Sequence, residues 1–268
     1  MSIPSSDEQS KNHGKVFGKL WDSIHGGYFS NKEVADHMVS AALSRINPLS
    51  PPAAIADLGG GTGFVLKELA ARLNTLQIRL INIDTSSSQL SVSAAGQICT
   101  IHCPVEGITR ETLLSENGTL LFIMRFVLHY FGRDGIENAL LHIRRQMRPG
   151  ECFIHQTACF EATAHAALLN ELFRSAGLDK WFPSVHELSG ILSASGFTQA
   201  LIKDMPALPV TSRDFAERYD ISDKKLLEID QNIRARYGDV PGVPGVFESN
   251  GREFTFYLHC RIFISKAV

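Results

Sequence analysis

The sequence predicts an α/β protein built around one doubly wound sheet. From about residue 53, short apolar segments alternate with segments whose apolar residues recur at helical spacing, a pattern typical of a parallel sheet with right-handed crossover helices. One of the apolar segments ends in a cluster of glycines that opens a helix. The chain has 268 residues, of which 44% are hydrophobic and 20% charged, and this composition is that of a globular protein with a substantial core.

The region before the first strand is predicted to be helical. Residues 1–14 are polar and lack the apolar stretch of a signal peptide, so we interpret them as a flexible tail. Residues 15–50 carry apolar residues at helical spacing with a break at Gly26 and Gly27, which predicts a helical cap. The domain itself is expected over residues 51–268.

The remaining elements follow from the alternation of the two periodicities. Strands are predicted at 53–58, 77–83, 98–103, 119–128, 152–156, 198–204 and 253–265. Helices are predicted at 64–73, 87–95, 135–147, 161–177 and 184–195, with a charged helical stretch at 212–237. Residues 212–250 therefore form an insertion between the sixth and seventh predicted strands.

Charge and cysteine usage restrict the class of protein. The 26 basic and 28 acidic residues give a net charge of −2, which argues against a protein that grips nucleic-acid phosphates. The five cysteines form no CxxC pair, so we expect a reduced, cytoplasmic protein. The most apolar run, at 120–128, contains Arg125 and is about half the length that a membrane span needs. The histidines show no metal-ligand spacing, so no metal site is expected.

The most informative segment is a strand that ends in a glycine-rich turn. Four of the five residues from Gly59 to Gly63 are glycines, and Asp57 precedes them. Such glycines allow a sharp turn and a close approach of the backbone to a ligand. A dinucleotide fingerprint G-x-G-x-x-G would need a third glycine where Phe64 stands. A nicotinamide-dependent oxidoreductase is therefore disfavoured, although it remains an alternative.

Asp57, Gly59, Gly61 and Gly63 instead match the pattern D/E-x-G-x-G-x-G, and Asp84 closes the second strand 21 residues after Gly63. In these residues the sequence resembles the class I S-adenosylmethionine-dependent methyltransferases, with the core of the resemblance over residues 53–156. The resemblance implies a Rossmann-like, seven-stranded sheet with an antiparallel last strand. The N-terminal helices and the insertion are expected to cover the site; ordinary packing against the core is the alternative for the helices, and a plain connector is the alternative for the insertion.

The resemblance assigns the cofactor-binding residues. Asp57 and the glycine turn would meet the methionine part of S-adenosylmethionine, and Asp84 would accept hydrogen bonds from both ribose hydroxyls. Val105 and Glu106 would flank the adenine. Many relatives carry an aspartate just before this point, where Pro104 stands here, so Glu106 or backbone groups would have to replace it.

The acceptor side is predicted from the end of the fourth strand. His129 is the best candidate for a general base, because an imidazole titrates in the right range; packing or capping is the alternative. Arg125 is a cation in an apolar run, and it would pair with the cofactor carboxylate, an acidic acceptor or a neighbouring acid. Tyr28 and Tyr130 are expected in the substrate pocket, with the aromatic residues of 17–21 and 28–29 forming a lid.

These observations predict methyl transfer from S-adenosylmethionine to a small molecule. Whether the acceptor atom is oxygen, nitrogen or carbon stays open, and so does the oligomeric state, for which a homodimer is one option. Besides the oxidoreductase, a protein that binds S-adenosylmethionine without transferring its methyl group remains an alternative. Neither a nucleic acid nor a membrane is expected as a partner.

Overall fold

The computed structural model describes residues 24–73, 76–93, 97–114, 118–237 and 245–268. The predicted tail at 1–14 and the aromatic residues of 17–21 lie outside these ranges. Within them, the chain before the first strand forms a short turn of 3-10 helix, Ile24–Gly27, and helix α1, Lys32–Leu43. Asn31 caps α1 by accepting hydrogen bonds from the amides of Glu33 and Val34.

A seven-stranded sheet forms the centre of the molecule. Its strands are β1 (Ala54–Leu58), β2 (Arg79–Asp84), β3 (Ile98–His102), β4 (Leu120–Arg125), β5 (Cys152–Ala158), β6 (Phe197–Asp204) and β10 (Cys260–Ala267). They lie in the order β3-β2-β1-β4-β5-β10-β6, and β10 is antiparallel to both of its neighbours. This arrangement confirms the predicted doubly wound sheet with an antiparallel last strand.

Helices cover both faces of this sheet. They are α2 (Phe64–Ala70), α3 (Ser87–Ser93), α4 (Arg110–Leu113), α5 (Gly132–Arg145), α6 (Thr163–Ser175) and α7 (Val185–Ala194). Because both faces are covered, all five residues of β1 are buried. In the parts of the chain given above, no helix is both long enough and apolar enough to cross a membrane.

The connection from β6 to β10 carries a small subdomain. It consists of a second sheet, in the order β7-β9-β8, and of two helices. The elements are β7 (Leu208–Thr211), α8 (Ser212–Tyr219), α9 (Asp223–Tyr237), β8 (Phe247–Ser249) and β9 (Phe254–Leu258). The inserted structure thus begins before residue 212, where the sequence placed its start.

The single strand predicted at 253–265 is wrong, because two strands occupy it. Phe254, Phe256 and Leu258 of β9 are buried in the small sheet, whereas Cys260 begins β10 in the large one. Both strands are apolar and extended, so the hydrophobic pattern does not reveal where the pairing partner changes.

The small subdomain packs over the carboxyl edge of the large sheet. Phe215 and Phe256 of the subdomain pack against each other and against Phe173 of α6, with ring centroids 5.2–5.7 Å apart in edge-to-face contacts. The same cluster includes Phe29 from the N-terminal segment and Phe126 from the end of β4. The subdomain and the N-terminal segment therefore both cover the edge at which the glycine turn lies.

Candidate active site

A cavity of about 610 Å³ lies at this carboxyl edge. The ends of β1, β2 and β4 form one end of it, and the small subdomain with the loop between α6 and α7 forms the other. Carboxyl ends of parallel strands are the usual ligand-binding edge of doubly wound sheets.

The glycine turn gives the cavity a backbone wall. Gly59, Gly61 and Gly63 have φ values of 71°, 56° and 69°, in the left-handed region that favours glycine. Gly60 has no such φ, but a Cβ atom there would lie 2.6 Å from Oδ2 of Asp57 and would also collide with Asn82. The amides of Gly59 and Gly60 donate to the carbonyl of Ile83 at 2.8 and 3.1 Å, which fixes the turn against the end of β2.

Asp57 lies beneath this turn with only 1% of its surface exposed. Its Oδ1 has no hydrogen-bond partner among the described residues, although the side chain lines the cavity. Burial raises the pKa of the carboxyl to about 7, against the opposing charge of Arg125 and with a small contribution from Asp84. An unsatisfied buried carboxyl of this kind can accept hydrogen bonds from a cationic ligand group.

Asp84 stands at the end of β2, facing the same cavity. Its Oδ2 accepts a hydrogen bond from the amide of Gly61 at 2.9 Å, and its Oδ1 accepts one from the amide of Ser86 at 2.8 Å. Burial raises the pKa of Asp84, and these backbone hydrogen bonds oppose the rise. A carboxylate has about four acceptor positions, so both oxygens retain capacity for a ligand diol.

The loop after β3 closes the cavity beside Asp84. Pro104, Val105 and Glu106 line it, together with Cys103. Gln89 from α3 also lines it, and its Oε1 occupies the space that a Cβ at Gly61 would enter. Gln89 was not predicted from the sequence, because a glutamine in a weak helical pattern carries no signal of its own.

These residues fit S-adenosylmethionine. The orphaned Oδ1 of Asp57 suits the amino group of the methionine part, and the glycine turn provides the space for it. Asp84 suits the ribose hydroxyls, and the apolar surface of Val105 suits an adenine face.

Arg125 connects the site to the N-terminal segment. It donates to the side-chain oxygen of Gln156 at 3.2 Å and to the carbonyls of Phe29 and Tyr28 at 3.1 and 3.4 Å. These acceptors are all neutral. The hydrogen bonds of Arg125 therefore differ from a salt bridge to a neighbouring acid, which was one of the alternatives from the sequence. Phe29 lines the cavity and Tyr28 does not: the hydroxyl of Tyr28 donates to the carbonyl of Pro206.

His129 and Tyr130 lie in the turn Leu128–Phe131 and both line the cavity. The ring of His129 is buried and stacks on Phe182, with 5.3 Å between centroids. Tyr130 is 36% exposed. The structure thus places His129 where a bound acceptor could reach it, and its role as a base remains a prediction.

Two cations at the inner end of the cavity were missed by the sequence analysis. Lys180 comes from the loop between α6 and α7, and Arg218 comes from α8. Arg218 belongs to a helix of mixed charge, a pattern that indicates a solvated surface. Each cation is followed in the sequence by an aromatic residue, Trp181 or Tyr219. These neighbours were the one sequence signal that Lys180 and Arg218 lie in a pocket. Across the described ranges, no group of three or more His, Cys, Asp or Glu side chains could hold a metal ion.

Comparison by sequence identifies no relative, since no protein-family model and no curated protein matches the chain. Comparison with solved structures finds chains of similar fold. A putative methyltransferase from Bacillus halodurans superposes with a TM-score of 0.62 at 13% identity, covering 87% of this chain and 98% of that one. The [4+2]-cyclase SpnF superposes with a TM-score of 0.60 at 16% identity, covering 100% of this chain and 97% of that one.

A third similar structure contains ligands. It is the 1,6-didemethyltoxoflavin-N1-methyltransferase of Burkholderia thailandensis with 1,6-didemethyltoxoflavin and S-adenosylhomocysteine, with a TM-score of 0.53 at 14% identity. It covers 100% of this chain and 92% of that one. The chain thus has the fold of the class I S-adenosylmethionine-dependent methyltransferases.

Proposed function

We propose that this protein is a methyltransferase that transfers a methyl group from S-adenosylmethionine to a small-molecule acceptor. One observation carries the proposal: a single cavity joins the glycine turn, Asp57 and Asp84 to an inner end lined by aromatic side chains. A cofactor at the first end would direct its methyl group along the cavity towards an acceptor at the second.

The size and cover of the cavity support a small acceptor. Its volume of about 610 Å³ lies within the range of small-molecule sites. Phe29 covers it from the N-terminal segment, and Leu208, Tyr219 and Leu258 cover it from the small subdomain. The Burkholderia neighbour has 1,6-didemethyltoxoflavin and S-adenosylhomocysteine bound. We accordingly propose a cytoplasmic protein that acts without a nucleic acid, a membrane or a metal.

The residues of the chain would align the reaction. When bound, S-adenosylmethionine supplies a sulfonium methyl that is already activated for in-line displacement. The protein has to fix the acceptor in line with it and to exclude water. The Phe29 and Phe126 rings, in edge-to-face contact at 5.0 Å, would help to exclude water. His129 would receive the acceptor's proton where the acceptor is a hydroxyl or an amine.

A non-methylating use of S-adenosylmethionine is the second candidate, because the cyclase SpnF shares the fold at a TM-score of 0.60. Calorimetric titration with S-adenosylhomocysteine, S-adenosylmethionine and NADH tests the cofactor first. Binding of NADH without binding of either sulfur nucleoside contradicts both candidates. Incubation of acceptor libraries with methyl-labelled S-adenosylmethionine then separates the two. Methyl transfer supports the first candidate, and conversion of an acceptor without consumption of the cofactor supports the second.

A further inference from the structure

The cavity has opposite charges at its two ends. Asp57, Asp84 and Glu106 line the end at the glycine turn, whereas Lys180 and Arg218 line the inner end beside the small subdomain. The acidic end is used by the proposed cofactor. The cationic end is not needed for a neutral acceptor, and an ammonium such as that of Lys180 is costly in an apolar enclosure unless a partner offsets its charge.

Lys180 is held by aromatic side chains. Its ammonium lies 4.2 Å from the ring centroid of Tyr130 and 4.7 Å from that of Tyr219, and it donates to the hydroxyl of Tyr219 at 2.6 Å. Within the described ranges, no carboxylate lies within salt-bridge distance of it. Aromatic faces stabilise a cation by far less than an anion in the same enclosure would.

Arg218 lies beside the same aromatic rings as Lys180. It donates to Nε2 of His25 at 2.9 Å and to the hydroxyl of Tyr130 at 3.0 Å, and its guanidinium lies 5.3 Å from the centroid of Tyr219. Burial, followed by the charge of Arg218, lowers the pKa of His25 to about 4. His25 is therefore neutral at physiological pH and accepts this hydrogen bond.

The two cations disfavour each other. Both contact the ring of Tyr219, and burial together with the charge of Arg218 lowers the pKa of Lys180 well below its usual range. The carboxylate of Asp214 raises the pKa of His25, against the effect of Arg218. Asp214 is itself engaged at the start of α8, where its Oδ2 accepts a hydrogen bond from the hydroxyl of Thr211 at 2.8 Å. An anion bound between Lys180 and Arg218 would offset their repulsion and restore the charge of the lysine.

We propose that the inner end of the cavity is the acceptor subsite and that it selects small molecules with an anionic oxygen group, a carboxylate or a phosphate, which Lys180 and Arg218 bind together. The inference rests on the proposed function. The aromatic rings of Tyr130, Phe173 and Phe182 form the adjoining walls, so a planar apolar body attached to the anionic group fits the remaining space.

The test is a titration of the full chain saturated with S-adenosylhomocysteine. Benzoate and its neutral counterpart benzamide form one arm, and phenyl phosphate and phenol form the other, so that carboxylate and phosphate are distinguished. We expect at least one anion to bind about tenfold or more tightly than its neutral counterpart. Equal affinities in both arms, or no binding of either anion at millimolar concentration, overturn the inference.

Variants assign the preference to the two cations. Lys180→Met and Arg218→Gln should each weaken anion binding about tenfold or more, while Lys180→Arg should preserve the anion preference. The matched controls are Lys224→Met and Arg133→Gln, which remove exposed cations outside the cavity. Circular dichroism first verifies that each variant is folded. If Lys180→Met does not fold, Lys180→Gln is used in its place.

The affinity for S-adenosylhomocysteine separates this inference from the proposed function. It should stay within about twofold of wild type in both cation variants, because the acidic end is unchanged. A tenfold loss there assigns Lys180 and Arg218 to the cofactor carboxylate and overturns the inference. Failure of the wild-type chain to bind S-adenosylhomocysteine refutes the proposed function itself.

Discussion

The backbone amide of Gly61 donates a hydrogen bond to Oδ2 of Asp84 at 2.9 Å. This bond joins the glycine turn after β1 to the carboxylate that closes β2, and it is charge-assisted when Asp84 is ionised. The positive φ of 56° at Gly61 directs the amide towards the carboxylate. The two motifs that the sequence shows 21 residues apart are therefore joined at one wall of the cavity.

Replacement of Asp84 by alanine should weaken binding of S-adenosylhomocysteine at least about tenfold, or 1.4 kcal/mol, because the ribose loses its charged acceptor. Calorimetric titration measures the change. Glu137→Ala, which removes an exposed carboxylate from α5, is the control and should leave the affinity unaltered. Wild-type affinity in the Asp84 variant would refute the assignment of Asp84 to the ribose.

Gly60 supplies a steric test of the turn. In Gly60→Ala the new Cβ would lie 2.6 Å from Oδ2 of Asp57, so the free energy of unfolding should fall by about 1–3 kcal/mol. Gly190→Ala is the matched control, because nothing lies within 4 Å of a Cβ there. Because Gly190 lies in the interior of a helix, Gly190→Ala should increase the free energy of unfolding by about 0.5–1 kcal/mol. Urea denaturation compares the two, and equal effects would contradict the close packing at Gly60.

The fold could be predicted because its core depends on local periodicity. The strand predicted at 53–58 is observed as Ala54–Leu58, and the turn after it is marked by its glycines. The last part of the chain was predicted less well. The boundary between Leu258 and Cys260 separates two strands of equal apolar character, and only the choice of partner strand distinguishes them.

The same limit applies to the site. Asp57 and Asp84 were predicted together from the resemblance to the class I methyltransferases. In the structure, the parallel pairing of Leu58 with Ile83 brings the ends of β1 and β2 to one edge of the sheet. Lys180 and Arg218 come from a loop and a helix that meet only through the packing of the small subdomain. No local pattern in the sequence encodes that packing.

The pKa of Asp57 predicts a pH dependence of stability. Burial raises this pKa from 3.8 to about 7, so the folded state binds the proton more tightly than the unfolded state. The stabilisation of the folded state by this tighter proton binding is fully present below pH 3.8 and is lost as the pH rises to about 7. Asp57→Asn should remove this loss, which amounts to at most about 4 kcal/mol at 1.36 kcal/mol for each pKa unit.

Urea denaturation of both proteins without cofactor, between pH 5 and about pH 8, measures this difference. The stability of the variant relative to wild type should increase as the pH rises to about 7 and should level off above it. The affinity for S-adenosylhomocysteine should rise over the same interval in wild type, because ionised Asp57 attracts the cofactor's ammonium group. In Asp57→Asn it should not rise. Parallel stability profiles for the two proteins would show that Asp57 titrates outside this interval.

His129 is predicted to act on the acceptor and not on the cofactor. Once an acceptor is known, His129→Ala should lower turnover by about 10²-fold while the affinity for S-adenosylhomocysteine stays unchanged. Because its ring stacks on Phe182 at 5.3 Å, His129→Phe serves as a second variant that retains the stacking. The exposed His186 provides the control, His186→Ala. Full turnover in His129→Phe would assign the residue to packing.

Arg125 is predicted to fasten the N-terminal segment over the cavity. Its guanidinium, at the end of β4, donates to the carbonyls of Tyr28 and Phe29. The lysine of Arg125→Lys is shorter and lacks the planar set of donors of a guanidinium, so it cannot form both bonds. Hydrogen exchange at the amides of residues 28–30 should therefore accelerate at least about tenfold, since each such bond contributes about 1–3 kcal/mol. Arg133→Lys, an exposed change on α5, should leave these amides as they are. Mass spectrometry of peptides from this segment measures the effect, and unchanged exchange in Arg125→Lys would mean that contacts other than these two hydrogen bonds hold the segment.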